Sequence, residues 1–405
     1  MYTRILALTM VLALAAVLAR LVEGSTDSEV TFVEAGQQLN PLAGRGVALA
    51  DFNGDGNLDA FVVNRSSADG AGNRVYFGDG HGKFGKPLSL VNSSDSTGRP
   101  AVADIDGNGT LDVVTGDTVW VNDGRGHFTS HPEAIDLSDP AQLGIVRLAD
   151  VNGDGYPDLV AIAGGTTLRV YLNDGHGRFR DTRQRLGAGM IGALALADVD
   201  GDGAVDAVTG GWRNDKKDPC PNRVWLNDGK GNFHDSGQVF DQGNNHVQGV
   251  ALGDLDNDGR PDLVLAMTAP GRAGKVYHND GNGRFSDTGQ SIGHRGTNAV
   301  VLGDFDGDGA LDLLLVCGEP ATGTPNEVWL NDGHAVFHDS GLRLGSAFSW
   351  DAAVGDLNGD SRPDVFVVNL RVAGGSKTSP VFGGEAAEVW LNTTLKPPKT
   401  AAMQH

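Results

Sequence analysis

Seven short segments place carboxylates and carboxamides at alternate positions: DFNGDGNLD from Asp51, DIDGNGTLD from Asp104, DVNGDGYPD from Asp150, DVDGDGAVD from Asp198, DLDNDGRPD from Asp254, DFDGDGALD from Asp304 and DLNGDSRPD from Asp356. Positions one, three, five and nine are Asp or Asn in every copy. They are Asp51, Asn53, Asp55 and Asp59; Asp104, Asp106, Asn108 and Asp112; Asp150, Asn152, Asp154 and Asp158; and Asp198, Asp200, Asp202 and Asp206. The last three sets are Asp254, Asp256, Asp258 and Asp262; Asp304, Asp306, Asp308 and Asp312; and Asp356, Asn358, Asp360 and Asp364. Position seven varies from Ala204 to Tyr156 to Arg260, as expected where only a backbone carbonyl takes part. Position two is always apolar, from Phe52 to Leu357, and can anchor the loop while the odd positions turn the other way.

A tight loop of this kind suits calcium, which takes about six to eight oxygens in a forgiving geometry. The alternative is a set of Asp/Gly-rich turns that hold no ion. Against that, the copies from Asp198, Asp254 and Asp304 crowd four aspartates into nine residues, a repulsion that a bound cation would relieve. Twenty-four of the 52 acidic residues lie in the seven segments, so seven Ca²⁺ would offset two thirds of the formal net charge of -21. An EF-hand is excluded because it needs a Glu at position twelve, where this chain has Val62, Thr115, Ala161, Thr209, Leu265, Leu315 or Val367. No Cys/His spacing suggests zinc.

The elements that must hold these loops follow from their flanks. Apolar stretches such as VALAD lead into each loop and stretches such as DLVAI lead out, which reads as two strands joined at the loop. A third strand and an Asp-Gly turn come next, as in VYLNDGHGRF from Val170 and VWLNDGKGNF from Val224, with a fourth strand beginning near the Phe. Four antiparallel strands make one propeller blade, and the loops recur at spacings of 53, 46, 48, 56, 50 and 52 residues. The expectation is an all-β, seven-bladed β-propeller. Its seventh copy stops at VWLNTTL from Val389, without turn or fourth strand. Residues 32–39, FVEAGQQL, align with the fourth strands FSDTGQSI and FHDSGLRL, so the N-terminal strand is expected to complete blade 7 and close the ring.

With loop, hairpin and period together, the chain resembles FG-GAP/VCBS repeat proteins, whose units build the integrin α-subunit propeller. The resemblance spans about residues 30 to 395 and implies Ca²⁺ between the first two strands of each blade. It also implies adhesion or binding of protein or glycan, or more rarely carbohydrate lyase or dehydratase activity. It implies the propeller module, not a whole receptor.

Residues 1–24 carry Arg4 and an apolar run from Ile5 to Ala19, a signal-peptide pattern too short for the roughly 20 residues of a membrane span. The expected layout is a signal peptide over 1–24, the propeller over 25–395 and a disordered tail over 396–405. The protein is expected to be secreted, or periplasmic in a bacterium, and monomeric, with no membrane span after cleavage. Cys220 and Cys317 fall in blades 4 and 6 and are not expected to bond. Asn64, Asn92, Asn108 and Asn392 begin N-x-[ST] sequons. The acidic balance and the lack of a basic stripe make nucleic acid a poor partner.

Recognition is expected on the face opposite the acidic loops, where the connections between second and third strands vary. Six residues before each first loop Asp stand Arg45, Gly98, Gly144, Gly192, Gln248, Asn298 and Trp350. With His246, Asp351, His294 and the repeat-breaking Trp212, they are candidates for the mouth of the central channel, or simply its filling. The expected function is a calcium-binding scaffold for extracellular protein or glycan. The alternative is a carbohydrate-active enzyme using His246, His294 and Asp351 at that mouth.

Overall fold

In five blades the second strand is a six-residue, mostly apolar run such as Asp158–Ala163 or Asp312–Cys317, and every residue in it is buried. Continuous burial means that both faces of the sheet are covered, as happens when each blade packs between two others. The computed structural model shows this arrangement: seven antiparallel sheets in a ring, a seven-bladed β-propeller. It describes residues 30–394 except 38, 40–43, 65–71, 91–97, 138–141, 188, 213–220, 241–245, 269–271, 295, 319–323 and 377–378, and backbone alone for the rest of 371–384. The leader, the tail, Cys220, Asn92 and most of the variable connections lie outside the described residues.

Blade 1 is typical in order, with strands Gly44–Ala50, Asp59–Asn64, Asn73–Tyr76 and Leu88–Leu90 running from the axis outward. Its fourth strand starts at Leu88, later than the expected Phe84, because Pro87 intervenes and has no N–H to give the ladder. Outer strands alternate instead: Phe233–Phe240 buries its two end aromatics and exposes residues between them, as befits the rim. Third-strand tryptophans are packing residues with satisfied indoles; Trp120 and Trp225 donate to Thr115 and Thr209 at 2.9 and 3.0 Å.

Closure occurs as the alignment of 32–39 with other fourth strands implies. Phe32–Glu34 pairs antiparallel with Glu388–Asn392, setting Phe32 opposite Asn392 and Glu34 opposite Trp390. Ala35 N–H adds a bond to Val389 O at 2.9 Å, and Phe32 packs edge-on against Phe305 of blade 6 at 5.7 Å. In blade 7 the long connection after Leu370 is not a loop: strand Asp364–Ser376 extends beyond the sheet and pairs with Ser379–Gly384 as a hairpin arm.

The innermost strands share an irregularity. In six blades the pairing between first and second strands skips one residue, a β-bulge. The extra residue is Arg45 in blade 1, Gly192 in blade 4, Gln248 in blade 5, Asn298 in blade 6 and Trp350 in blade 7. A bulge re-aims a side chain and strengthens local twist, so it turns this one position out of the packed alternation.

Candidate cation loops and channel mouth

Each acidic loop is shaped by its first aspartate. Asp51 accepts the N–H groups of Gly54 and Gly56 at 2.7 and 2.8 Å, and Asp356 accepts those of Gly359 and Ser361 at 2.7 Å. The ninth residue is the deepest. Asp59, Asp112, Asp158, Asp206, Asp262, Asp312 and Asp364 are all fully buried. One oxygen of each takes the N–H of position two, as Asp312 takes Phe305 at 2.7 Å. The other takes an N–H of the third strand, as Asp312 takes Asn331 at 2.8 Å.

Burial pushes these carboxyls upward, the hydrogen bonds pull them back, and neighbouring loop carboxylates push again. Asp59, Asp112, Asp158, Asp206 and Asp364 stand at about 6 and Asp312 at about 7. Asp262 is raised for the same first reason. Carboxylate oxygens converge within 4.8 Å in Asp104, Asp106 and Asp112, in Asp198, Asp200 and Asp206, in Asp254, Asp256 and Asp258, and in Asp304, Asp306 and Asp308. An all-oxygen set with raised carboxyls fits a hard divalent cation. In the remaining copies Asn53, Asn152 and Asn358 hold position three with an amide oxygen.

The loops are also wired to one another. The third-strand Asn whose N–H meets the buried ninth Asp sends its side-chain Nδ2 to the position-two carbonyl of the preceding blade. Asn122 reaches Phe52 O, Asn173 reaches Ile105 O and Asn227 reaches Val151 O, at 2.8 to 2.9 Å. Asn279, Asn331 and Asn392 repeat this at Val199, Leu255 and Phe305. Blade 1 has Gly78 here, and a Cβ at that position would lie 2.2 Å from Leu58 O, so no side chain fits. The seam between blades 7 and 1 keeps a glutamine contact that other seams also have: Gln37 accepts from Phe84 N–H at 2.8 Å, as Gln184, Gln238 and Gln290 accept from Phe233, Phe285 and Phe337. Asn392 is therefore buried and engaged, and Asn64 is buried too, so neither sequon is open to modification in the folded chain.

The first strand carries the acidic loop at one end and the bulge at the other, about 20 Å away at roughly 3.3 Å per residue. At the bulge end is a cavity of about 590 Å³, lined among others by Arg45, Gly144, Gly192, Trp212, Gln248 and Trp350. The Arg45 guanidinium lies 4.2 Å over the Trp350 ring, joining blades 1 and 7. His246 stands edge-on to Trp212 at 5.1 Å, and burial, with Arg272 nearby, holds its imidazole below the usual range.

Asp351 and Asn298 sit deeper and are buried. Asp351 pairs with Arg99 Nε at 2.9 Å and accepts Val47 N–H at 3.2 Å, while Arg99 also donates to Asn298 O at 3.1 Å. Arg99 belongs to blade 2 and these partners to blades 7 and 6, so its guanidinium crosses the bore. Arg147 of blade 3 is close to both charges, and burial and Arg99 bring it down to about 10. Arg99 and Arg147 were not among the residues singled out from the sequence. Arg147 was visible as the one charge at a position otherwise occupied by Ala48, Ala101, Ala195, Ala251, Val301 and Ala353.

His294 lies elsewhere than expected. Its Nδ1 is 3.0 Å from buried Glu327, and its ring is 5.5 Å from Trp329, both on the third strand of blade 6. His294 follows the outermost strand of blade 5, Phe285–Ile292, ahead of the innermost strand of blade 6, which begins at Thr297. His246, His294 and Asp351 thus have three different sets of neighbours and form no acid/base constellation.

Residues 51–115, 150–209, 198–265, 258–315 and 304–367 match the FG-GAP-like repeat. The chain belongs to this family. No curated protein matches it. Among solved structures it resembles BBS1N in complex with ARL6DN, in crystals soaked with mercury or with lead. Each superposes with TM-score 0.56 at 11% identity, covering 92% of this chain and 99% of that one, which shows the fold alone.

Within these FG-GAP repeats, the two departures from glycine keep the loop shape. Asn257 and Ser361 adopt φ of 62° and 64°, the left-handed region that Gly54 and Gly56 occupy in the first copy. The larger departures concern charge. Arg260 and Arg362 bind Asp258 and Asp360 of their own loops and also donate to the carbonyls of Asn279 and Asn392. His278 replaces an apolar third-strand residue and brings Nδ1 to 3.0 Å from Asp256 and 3.3 Å from Asp262. The loops of blades 5 and 7 therefore contain cationic side chains of their own.

Proposed function

We propose that this FG-GAP propeller is a calcium-stabilised recognition scaffold: the seven acidic loops hold Ca²⁺ on one face, and a protein or glycan is bound at the channel mouth on the other. The observation that carries the calcium reading is the ninth-position aspartate. It is buried in all seven copies, raised by burial, and backed by further carboxylates or amide oxygens of the same loop. Calcium would be held by positions one, three, five and nine with the carbonyl of position seven, and would supply the positive charge that these groups share.

The separation of the two ends supports placing recognition away from the loops, on a surface built from residues that break the repeat. BBS1N was solved in complex with ARL6DN, which favours reading such a propeller as a protein-binding platform. The leader pattern of residues 1–24 supports an extracellular or periplasmic setting, and among the described residues no helix is long and apolar enough to cross a membrane.

Thermal unfolding with calcium and with a chelator tests the reading. A site filled at a hundred times its Kd adds about 2.7 kcal/mol, so several filled sites raise the melting temperature markedly. The expected result is a large fall on chelation, reversed by added Ca²⁺ in excess; an unchanged melt overturns the calcium assignment.

A further inference from the structure

At one third-strand position six blades carry an apolar residue, Phe77, Val121, Leu172, Leu226, Leu330 or Leu391, and blade 5 carries His278. The apolar side chain faces the turn of the next blade. A Cβ added to Gly82, Gly231 or Gly283 would meet Leu391, Leu172 or Leu226 at 2.6, 3.1 and 3.0 Å, so these turns need glycine. The turn that faces His278 has Ala335 in that place, and it is seated alike: Ala335 N–H bonds Leu255 O as Gly283 N–H bonds Val199 O. Ala335 is buried, with φ of 55°, a left-handed conformation that costs any residue but glycine. Its Cβ fits because the imidazole does not take the direction of a leucine. The ring turns into the acidic loop, with Nδ1 at 3.0 Å from Asp256 Oδ2 and 3.3 Å from Asp262 Oδ1. Two departures from the repeat, in adjacent blades, thus agree on one placement.

The three ligand atoms lie within 4.8 Å of one another, and the other groups of this kind among the described residues consist of carboxylates alone. Both carboxylates are held in position by the backbone. Asp262 accepts Leu255 N–H at 3.2 Å on one oxygen and Asn279 N–H at 2.8 Å on the other, and Asp256 Oδ1 accepts Asp258 N–H at 3.3 Å, leaving Oδ2 towards the imidazole. Such outer bonds fix metal ligands in orientation. The fifth-position carboxylate, Asp258, is bound by Arg260, which leaves this loop poorer in oxygens for calcium. The His278 side chain is 37% exposed, so an ion reaches it from solvent. In the ion-free chain a proton on Nδ1 bridges the two carboxylates, and a metal ion there takes the place of that proton.

Calcium takes oxygen ligands, whereas an imidazole nitrogen suits zinc and its neighbours. One nitrogen and two carboxylates leave a fourth position for water, a set that zinc accepts. Resting on the reading of the acidic loops as cation sites, we propose that the loop of blade 5 prefers a divalent ion of the zinc class to calcium, with His278 Nδ1, Asp256 and Asp262 as its protein ligands. The sequence shows no zinc spacing because the nitrogen comes from the third strand, outside the nine-residue loop.

The test is calorimetric titration of the full, untagged, calcium-loaded protein with zinc chloride in millimolar calcium, repeated with cobalt(II) for its visible absorption. One tight equivalent of zinc is expected, and cobalt bands that disappear when zinc is added. His278→Gln should weaken zinc about tenfold or more and remove the cobalt bands, while melting stays dependent on calcium. The double change His278→Leu with Ala335→Gly rebuilds the packing of the other seams and should abolish the site in a chain that folds as before. Absence of a stoichiometric zinc site in the presence of calcium, or a site that both sets of changes leave unmoved, overturns the proposal. The calcium reading fails separately, if chelation leaves the melt unchanged while zinc still binds through His278.

Discussion

The buried ninth aspartates have a consequence for pH that can be read without a ligand. Six of their carboxyls stand at about 6 to 7 in the folded chain, above the ordinary aspartate value near 4 expected when unfolded, and that of Asp262 is raised as well. Between these values the cation-free folded state binds more protons than the unfolded state, so its stability rises as pH falls from about 7 towards 4 and is reduced above about 7. Bound calcium would reverse the preference, because it needs the ionised form. The expected outcome is that the gap in melting temperature between calcium-loaded and chelated protein narrows steadily from pH 7.5 to pH 5; a gap that is constant over this range contradicts the role given to these residues. The loop residues themselves were legible in the sequence because all ligand candidates lie within nine positions of one another. Arg99 was not, since nothing near it in the chain announces a partner 252 residues away.

At the scale of elements, blade 7 is made from both ends of the chain. Glu388–Asn392 would be an open edge without Phe32–Glu34, and the strand end is tied further by Thr31 N–H to Thr394 Oγ1 at 3.1 Å. Removing residues 25–39 therefore exposes unpaired backbone groups beside the apolar contacts of Phe32 and Val30. Size-exclusion chromatography with light scattering should show this truncation self-associating, whereas a monomer of unchanged melting temperature would refute the closure's importance. Strand identity and order were legible because apolar runs, Asp-Gly turns and the 50-residue period are local signals. The hairpin arm after Leu370 was not legible, because its Gly-rich composition carries no apolar alternation and Ser379–Gly384 pairs with the end of the long strand alone. The bulges were invisible for a different reason: a bulge is a mismatch between two strands, not a property of either.

Over the whole molecule, stability is distributed around a ring of repeated joints. Six seams carry the asparagine bridge from a third strand to the neighbouring acidic loop, with bonds of 2.8 to 2.9 Å spanning 68 to 87 residues of sequence. The seam between blades 7 and 1 has Gly78 in that place and keeps two contacts that other seams share, Phe84 N–H to Gln37 and the backbone bond from Gly82 N–H to Leu357 O at 2.8 Å. Hydrogen exchange should show Gly82 and its surroundings losing protection before the equivalent turn of blade 5, where Gly283 N–H bonds Val199 O and Asn279 adds its bridge. Equal protection at the two turns would show that the missing bridge is compensated elsewhere.

By itself the sequence determined the repeat number, the strand order, the acidic loops and even the source of the last strand. Each is written in patterns a few residues long and copied along the chain, so alternation and turn chemistry suffice to read them. Only the tertiary structure decided what those copies enclose. The ring brings Arg99 to Asp351 across its bore, turns Arg45 onto Trp350 through paired bulges, and leaves His294 beside Glu327, outside the expected site. Such meetings depend on the radius of the ring and the register of separate strands, quantities that no single blade contains.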